Sequence, residues 1–112
     1  KIYNSSRSDK TDVITEVFKS KAILVGSSTV NRGVLSSVAA IMEEIKGLSF
    51  KNKKAAGFGC YGWSGESPKE ISEKLKDAGL TVVGDSLGIM WSPDSQAEVA
   101  CKDFGRGFVE KL

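Results

Sequence analysis

The chain has 112 residues, 40% hydrophobic and 27% charged, which is ordinary for one globular domain (1–112) with a single modest core. Sixteen basic and 14 acidic residues leave a net charge of only +2, too balanced for a dedicated nucleic-acid surface. There is no histidine, which excludes a Ser-His-Asp or Cys-His triad and any histidine-bearing metal site within the chain.

No apolar run approaches the roughly 20 residues that cross a bilayer, and no secretory leader is legible, so a cytoplasmic location is expected. Cys60 and Cys101 lie far apart without metal-like spacing and are expected to be reduced thiols.

In chain order, "KIY" at the start reads as the tail of a strand. Thr11–Lys19 follows as a helix, with Val13/Val17 and Ile14/Phe18 at four-residue spacing. "AILVGSS" (Ala22–Ser28) is a continuous apolar run ending in small residues, the pattern of a strand buried on both faces. Val34, Val38, Ile41, Met42 and Ile45 form one stripe of a second helix. "KKAAGFGC" is a second strand whose alanines and glycines permit close helix packing. Ser67-Pro68-Lys69-Glu70 has the form of a capping box with proline at the first helical position, and Gly79 is the stop. "LTVVG" and "LGIMW" make a third strand region broken at Gly84-Asp85. Ser92-Pro93 opens a last helix whose buried face is Ala97, Cys101, Phe104 and Phe108.

Strands alternating with helices imply an α/β fold with a parallel sheet and right-handed crossovers. Ligands of such sheets bind at the carboxyl ends of the strands. Two loops fall there: "GSSTVNRGVLSS" (Gly26–Ser37) and "GCYGWSGESPKE" (Gly59–Glu70). Both are rich in small residues and hydroxyls, and neither is a Gly-x-x-x-x-Gly-Lys-Ser/Thr phosphate loop. Tyr61 and Trp63 in the second loop favour a flat aromatic ligand. A phosphorelay receiver would need acidic residues at the strand ends, and "ILVGSS" and "GFGCYG" supply none.

"GSSTVNRG" followed some thirty residues on by "GCYGWSG" resembles the flavodoxin-like domain of flavodiiron proteins, or A-type flavoproteins. This family includes the rubredoxin–oxygen oxidoreductases and the nitric oxide-reducing flavorubredoxins. The similarity runs through "KIYNSSRSDKTDVITEVFKSKAILVGSSTVN", "GLSFKNKKAAGFGCYGWSGES" and "WSPDSQAEVACKDFGRGF", nearly the whole chain. It implies a three-layer, open flavodoxin-like sheet that binds FMN non-covalently and passes electrons. By resemblance, Ser27, Ser28, Thr29, Val30, Asn31, Arg32 and Gly33 line one side of the flavin ring. Cys60, Tyr61, Gly62, Trp63, Ser64 and Gly65 line the other, with Tyr61 or Trp63 against a ring face. The implied partners are rubredoxin or a flavin reductase as donor and a metallo-β-lactamase-like diiron domain as acceptor of the electrons; a homo-oligomer is expected separately, from an uncovered strand edge. Oxygen or nitric oxide is the substrate reduced at the diiron domain.

Three departures from the family pattern stand out. Cys60 replaces a usual serine, and Arg32 a usual asparagine. The family's phosphate loop, with its strand and helix, is expected upstream of "KIYN", which leaves the sheet incomplete at its N-terminal side and predicts weak or absent FMN binding by this chain alone. The alternative expectation is a ligand-free domain whose uncovered strand edge makes it an interaction or dimerisation unit.

Overall fold

The structure, a computed structural model, describes all of residues 1–112. Four helices alternate with strands: α1 (Lys10–Lys19), β1 (Ala22–Ser28), α2 (Ser36–Leu48), β2 (Lys54–Tyr61), α3 (Ser67–Asp77), β3 (Thr81–Val82), β4 (Leu87–Met90) and α4 (Ser95–Glu110). All pairings are parallel, with β2 central: β1 runs along one side, and β3 and β4 share the other. β3 pairs with the start of β2 (Lys54, Ala55), and β4 with its end (Phe58–Tyr61). One strand region thus breaks into two pieces, as the sequence indicated, at Gly84, whose φ is +71°. The fold is flavodoxin-like α/β.

Register assigns the faces. Ala55, Gly57 and Gly59 of β2 stand beside Ile23, Val25 and Ser27 of β1. This odd-numbered face is covered by α3, with Ile71 and Pro68 against Gly57. The main core lies here: Val13 and Val17 of α1, Val38, Ile41, Met42 and Ile45 of α2, and Ile71 and Leu75 of α3 close over Ala55 and Leu80. The small residues of β2 let α3 approach closely, as expected of that strand. On the even-numbered face, the Lys54 ammonium donates to the Lys111 carbonyl just beyond α4. Helices therefore cover both sides of the sheet, which gives three layers.

Several local expectations change. Lys1–Tyr3 forms no strand: Ile2 is almost wholly exposed, and Lys1 instead bonds Glu16 of α1 at 2.9 Å. A strand exists only by pairing, and nothing stands beside this segment to supply the ladder. β1 is buried on one face rather than two, because Leu24 on the even-numbered face is 43% exposed. Val34 precedes α2 yet still packs on the core. The last helix is capped by Asp94, which accepts from the Ala97 N–H, rather than by Ser92. Of its expected buried face only Phe108 is fully buried; Ala97, Cys101 and Phe104 are half-buried.

The Lys1–Glu16 hydrogen bond holds the Glu16 carboxyl below its ordinary range and raises the Lys1 ammonium. The depressed carboxyl favours the folded state above its unfolded pKa and loses that effect as pH falls, but the exposed Lys1 ammonium leaves the pair screened by water and the effect small.

Ile71, fully buried against Gly57, is the most sensitive point of the core. Ile71→Ala should destabilise the domain by about 2–5 kcal/mol in urea unfolding, because the cavity opens against backbone that cannot collapse into it.

Candidate functional site

The two loops singled out in the sequence both leave the carboxyl ends of adjacent strands, β1 and β2. A chain of hydroxyls joins them underneath. Thr29 Oγ1 donates to Ser67 Oγ at 2.9 Å, and Ser67 Oγ donates to the Ser27 carbonyl at 3.0 Å. The Ser67 N–H returns to Thr29 Oγ1 at 3.3 Å. Ser67 is fully buried at the first turn of α3, so its hydroxyl ties the helix to β1 instead of closing the expected capping box. Glu66 takes the cap position without a side-chain cap bond, and Pro68 is the second helical residue. Gly59 sits beneath this junction, and a Cβ there would collide with the Ser27 carbonyl and Ser67 Oγ. Only glycine lets the two strands and the helix meet so closely.

Ser27 is also buried, and its own hydroxyl is engaged: it accepts from the Leu35 N–H at 2.9 Å and donates to the Ser28 carbonyl at 2.7 Å. Ser27 thus shapes the start of α2. The rest of the first loop rises above it as a tight two-residue hairpin. Val30 and Gly33 exchange both backbone hydrogen bonds, at 3.1 and 2.8 Å, around Asn31 and Arg32. Both central residues are left-handed, with φ of +50° and +60°. Such a turn favours Asn and Gly, so Asn31 is at home and Arg32 is strained. Arg32 is exposed and makes no ion pair. Gly33 lies beside α3, near enough that a Cβ there would be 3.3 Å from a Glu70 carboxylate oxygen.

The second loop is joined to the first by the Thr29 N–H, which donates to the Cys60 carbonyl at 2.8 Å. Ser28 and Cys60 are register neighbours on the even-numbered face, and Cys60 is an exposed free thiol. Tyr61 turns its ring across Gly65, and Trp63 is 94% exposed. An open cavity of about 400 Å³ is lined by Tyr61, Trp63, Ser64, Gly65, Pro68, Lys69, Ser86 and Gly88. It includes four of the expected second-loop residues and none of Ser27–Gly33, which stand outside it.

One aromatic residue was not among the expected site residues. Trp91, at the end of β4, has φ +58°, donates its N–H to the Tyr61 carbonyl at 2.7 Å and lays its ring across Gly62. The rule that placed the first two loops applies equally to the third strand. "MWSPD" carries the signal, but the Ser-Pro pair reads first as a helix start. Trp91 therefore lies against the Cys60–Gly65 loop that carries Trp63, and two exposed rings at this end suit a planar ligand with apolar faces.

A parallel sheet of this topology with a loop cluster at its carboxyl edge defines an open α/β domain of the kind that binds its ligands at the strand ends. The sequence profile of the flavodoxin family matches residues 1–105, and the chain belongs to that family. It is 48% identical over 106 residues to the anaerobic nitric oxide reductase flavorubredoxin of Aeromonas hydrophila, covering 95% of this chain and 21% of that protein. Against the Aliivibrio fischeri flavorubredoxin it is 48% identical over 112 residues, or 99% of this chain and 22% of the relative. The chain thus spans about a fifth of the length of these relatives.

Among solved structures, the rubredoxin oxygen:oxidoreductase of Desulfovibrio gigas superposes with a TM-score of 0.85 at 30% identity, covering all of this chain and 29% of that one. A flavodoxin from the domain Archaea gives 0.83 at 33% identity, covering 96% and 73%. No helix here is long and apolar enough to cross a membrane.

The left-handed strain at Arg32 is testable. Arg32→Asn should raise unfolding stability by up to ~1 kcal/mol, since asparagine tolerates the conformation with its short polar side chain. A matched loss of stability in denaturant titration would show that the guanidinium contributes a contact that outweighs the turn.

Proposed function

We propose that the chain is the FMN-binding electron-transfer module of a flavodiiron-type oxidoreductase. The observation that carries this reading is the pair of exposed indoles, Trp63 within and Trp91 against one loop at the carboxyl edge of a flavodoxin-family sheet. The residues present fit the ring portion of FMN. Trp63 has almost its whole surface free for stacking, and the Asn31–Arg32 turn follows the adjacent strand end with both residues held in the left-handed conformation. Thr29, Val30, Asn31, Arg32 and Gly33 would bound one side, and Cys60 to Gly65 the other. Bound FMN would supply one- and two-electron redox chemistry that no side chain of this protein provides.

The protein's own contribution is positioning. The Thr29–Ser67–Ser27 hydroxyl chain fixes the distance between the two loops, and Trp63 and Tyr61 present aromatic surface that excludes water from one ring face. Electrons would arrive from rubredoxin or a flavin reductase and leave toward a diiron centre on another domain, where oxygen or nitric oxide is reduced. The work is placed in the cytoplasm. The similarity to flavorubredoxins and to the Desulfovibrio oxidoreductase supports these roles.

Titration of the purified chain with FMN, followed by flavin fluorescence quenching and visible absorbance, tests the reading. Weak saturable quenching is expected, and quenching that Trp63→Ala and Trp91→Ala together leave unchanged overturns it. Trp63→Ala should weaken binding by about 3- to 10-fold, the ~0.5–1.5 kcal/mol of an aromatic contact. Its melting curve should not change, because the indole packs on little else.

Arg32 offers a second, electrostatic test. A guanidinium beside the ring favours its reduced, negatively charged form, so Arg32→Asn should lower the midpoint potential. An unchanged or higher value in a redox titration removes Arg32 from the flavin's surroundings.

A further inference from the structure

The second loop is held by two rings laid over two glycines. The Trp91 indole crosses Gly62, where an added Cβ would fall 2.6–3.0 Å from three of its ring atoms. The Tyr61 ring crosses Gly65, where the corresponding distances are 2.9–3.2 Å. Gly79 and Gly84 are the only glycines of the chain with positive φ. The backbone at Gly62 and Gly65 would therefore accept a side chain, and it is the rings that exclude one.

The two contacts are joined through Tyr61. The Trp91 N–H donates to the Tyr61 carbonyl at 2.7 Å, one step beyond the Tyr61–Met90 register pair that ends the ladder between β2 and β4. Trp91 thus grips the loop twice, with its backbone at Tyr61 and with its ring at Gly62. Between the two covered glycines stand only Trp63 and Ser64. Trp63 is almost wholly exposed, so its own side chain makes no packing that could hold it in place. Its position is set by the backbone on either side, and that backbone is set by Trp91 and Tyr61.

Trp91 is itself held at φ +58°, a left-handed conformation that a bulky residue rarely adopts. Glycine would sit there without strain but would carry no ring. Such a residue persists where the surrounding structure over-determines it. The ladder of β4 and the seat on Gly62 supply that here, and both belong to the segment that shapes the loop.

We propose that Trp91 is a positioning residue: by clamping Tyr61 and Gly62 it fixes the loop that presents the Trp63 indole to a planar ligand. The identity of that ligand rests on the FMN reading above, whereas the clamp does not.

Trp91→Gly tests the clamp, because it removes the ring and the left-handed strain together and keeps the N–H. Its melting temperature should stay that of the unmodified chain. Chymotryptic cleavage after Trp63, read by mass spectrometry, should quicken by about 3- to 10-fold as the loop loosens. Trp91→Phe, which keeps a ring, should restore most of the protection. Gly62→Ala should quicken the same cleavage in the unmodified chain by displacing the indole, and should add nothing to Trp91→Gly. FMN affinity should fall in Trp91→Gly and recover in Trp91→Phe.

Unchanged cleavage after Trp63, or cleavage that rises only with a matching drop in melting temperature, would overturn the clamp. So would effects of Gly62→Ala and Trp91→Gly that simply add. Faster cleavage with FMN affinity unchanged would overturn the positioning role. Absence of FMN quenching in every variant would overturn the flavin reading and the ligand role with it, while the cleavage series would still decide the clamp.

Discussion

The buried hydroxyl of Ser67 joins three parts of the molecule that have no covalent reason to meet. It donates to the carbonyl of Ser27 at the end of β1, receives the hydroxyl proton of Thr29 in the first loop, and belongs to the opening turn of α3. A hydroxyl with no access to water must find partners inside, and leaving them unmade costs ~1–3 kcal/mol. That requirement fixes the approach of α3 to β1. Through Gly59 it also fixes how closely β2 passes beneath. The geometry of both loops at the carboxyl edge follows from this junction.

Above the junction the local chemistry changes from satisfied to unsatisfied. Ser27 and Ser67 are closed into the protein, whereas Trp63, Trp91, Cys60 and Arg32 are turned outward. Arg32 and Trp91 are also held in the left-handed region, where neither residue type is comfortable. Strain and exposed aromatic surface gathered on one end of an otherwise conventional sheet mark a place shaped by something other than stability. The family membership accounts for the fold, and the exposed rings account for the choice of FMN as the proposed ligand.

Much of this was legible in the sequence, and the parts that were not share a cause. The alternation of helices and strands, the break at Gly84-Asp85 and the core stripe of α2 follow from periodicity and turn chemistry, which are local. The function of Ser67 was misread because a Ser-Pro-Lys-Glu string satisfies a local capping pattern, whereas the hydroxyl is claimed by residues some forty positions away. Trp91 was passed over for the same reason: the Ser-Pro beside it announces a helix, and only the pairing of β4 with β2 brings its ring over Gly62. "AILVGSS" reads as a strand buried twice, but burial of its second face depends on what stands beside it, and here Leu24 remains open. "KIY" fails as a strand because pairing, unlike composition, needs a neighbour.

The division of the third strand into β3 and β4 separates two kinds of rigidity. β3 is anchored at the start of β2, next to Leu80 and the main core. β4 grips only the last four residues of β2, at the loop end, and delivers Trp91 there. A continuous strand would have made any movement of that indole a disturbance of the core. With the ladder interrupted between Val83 and Leu87, the outer four-residue segment is its own small unit of opening, with a lower free energy than global unfolding. The protein can thus loosen the rim of its carboxyl edge, by breathing of one short segment, while the layer beneath keeps its packing.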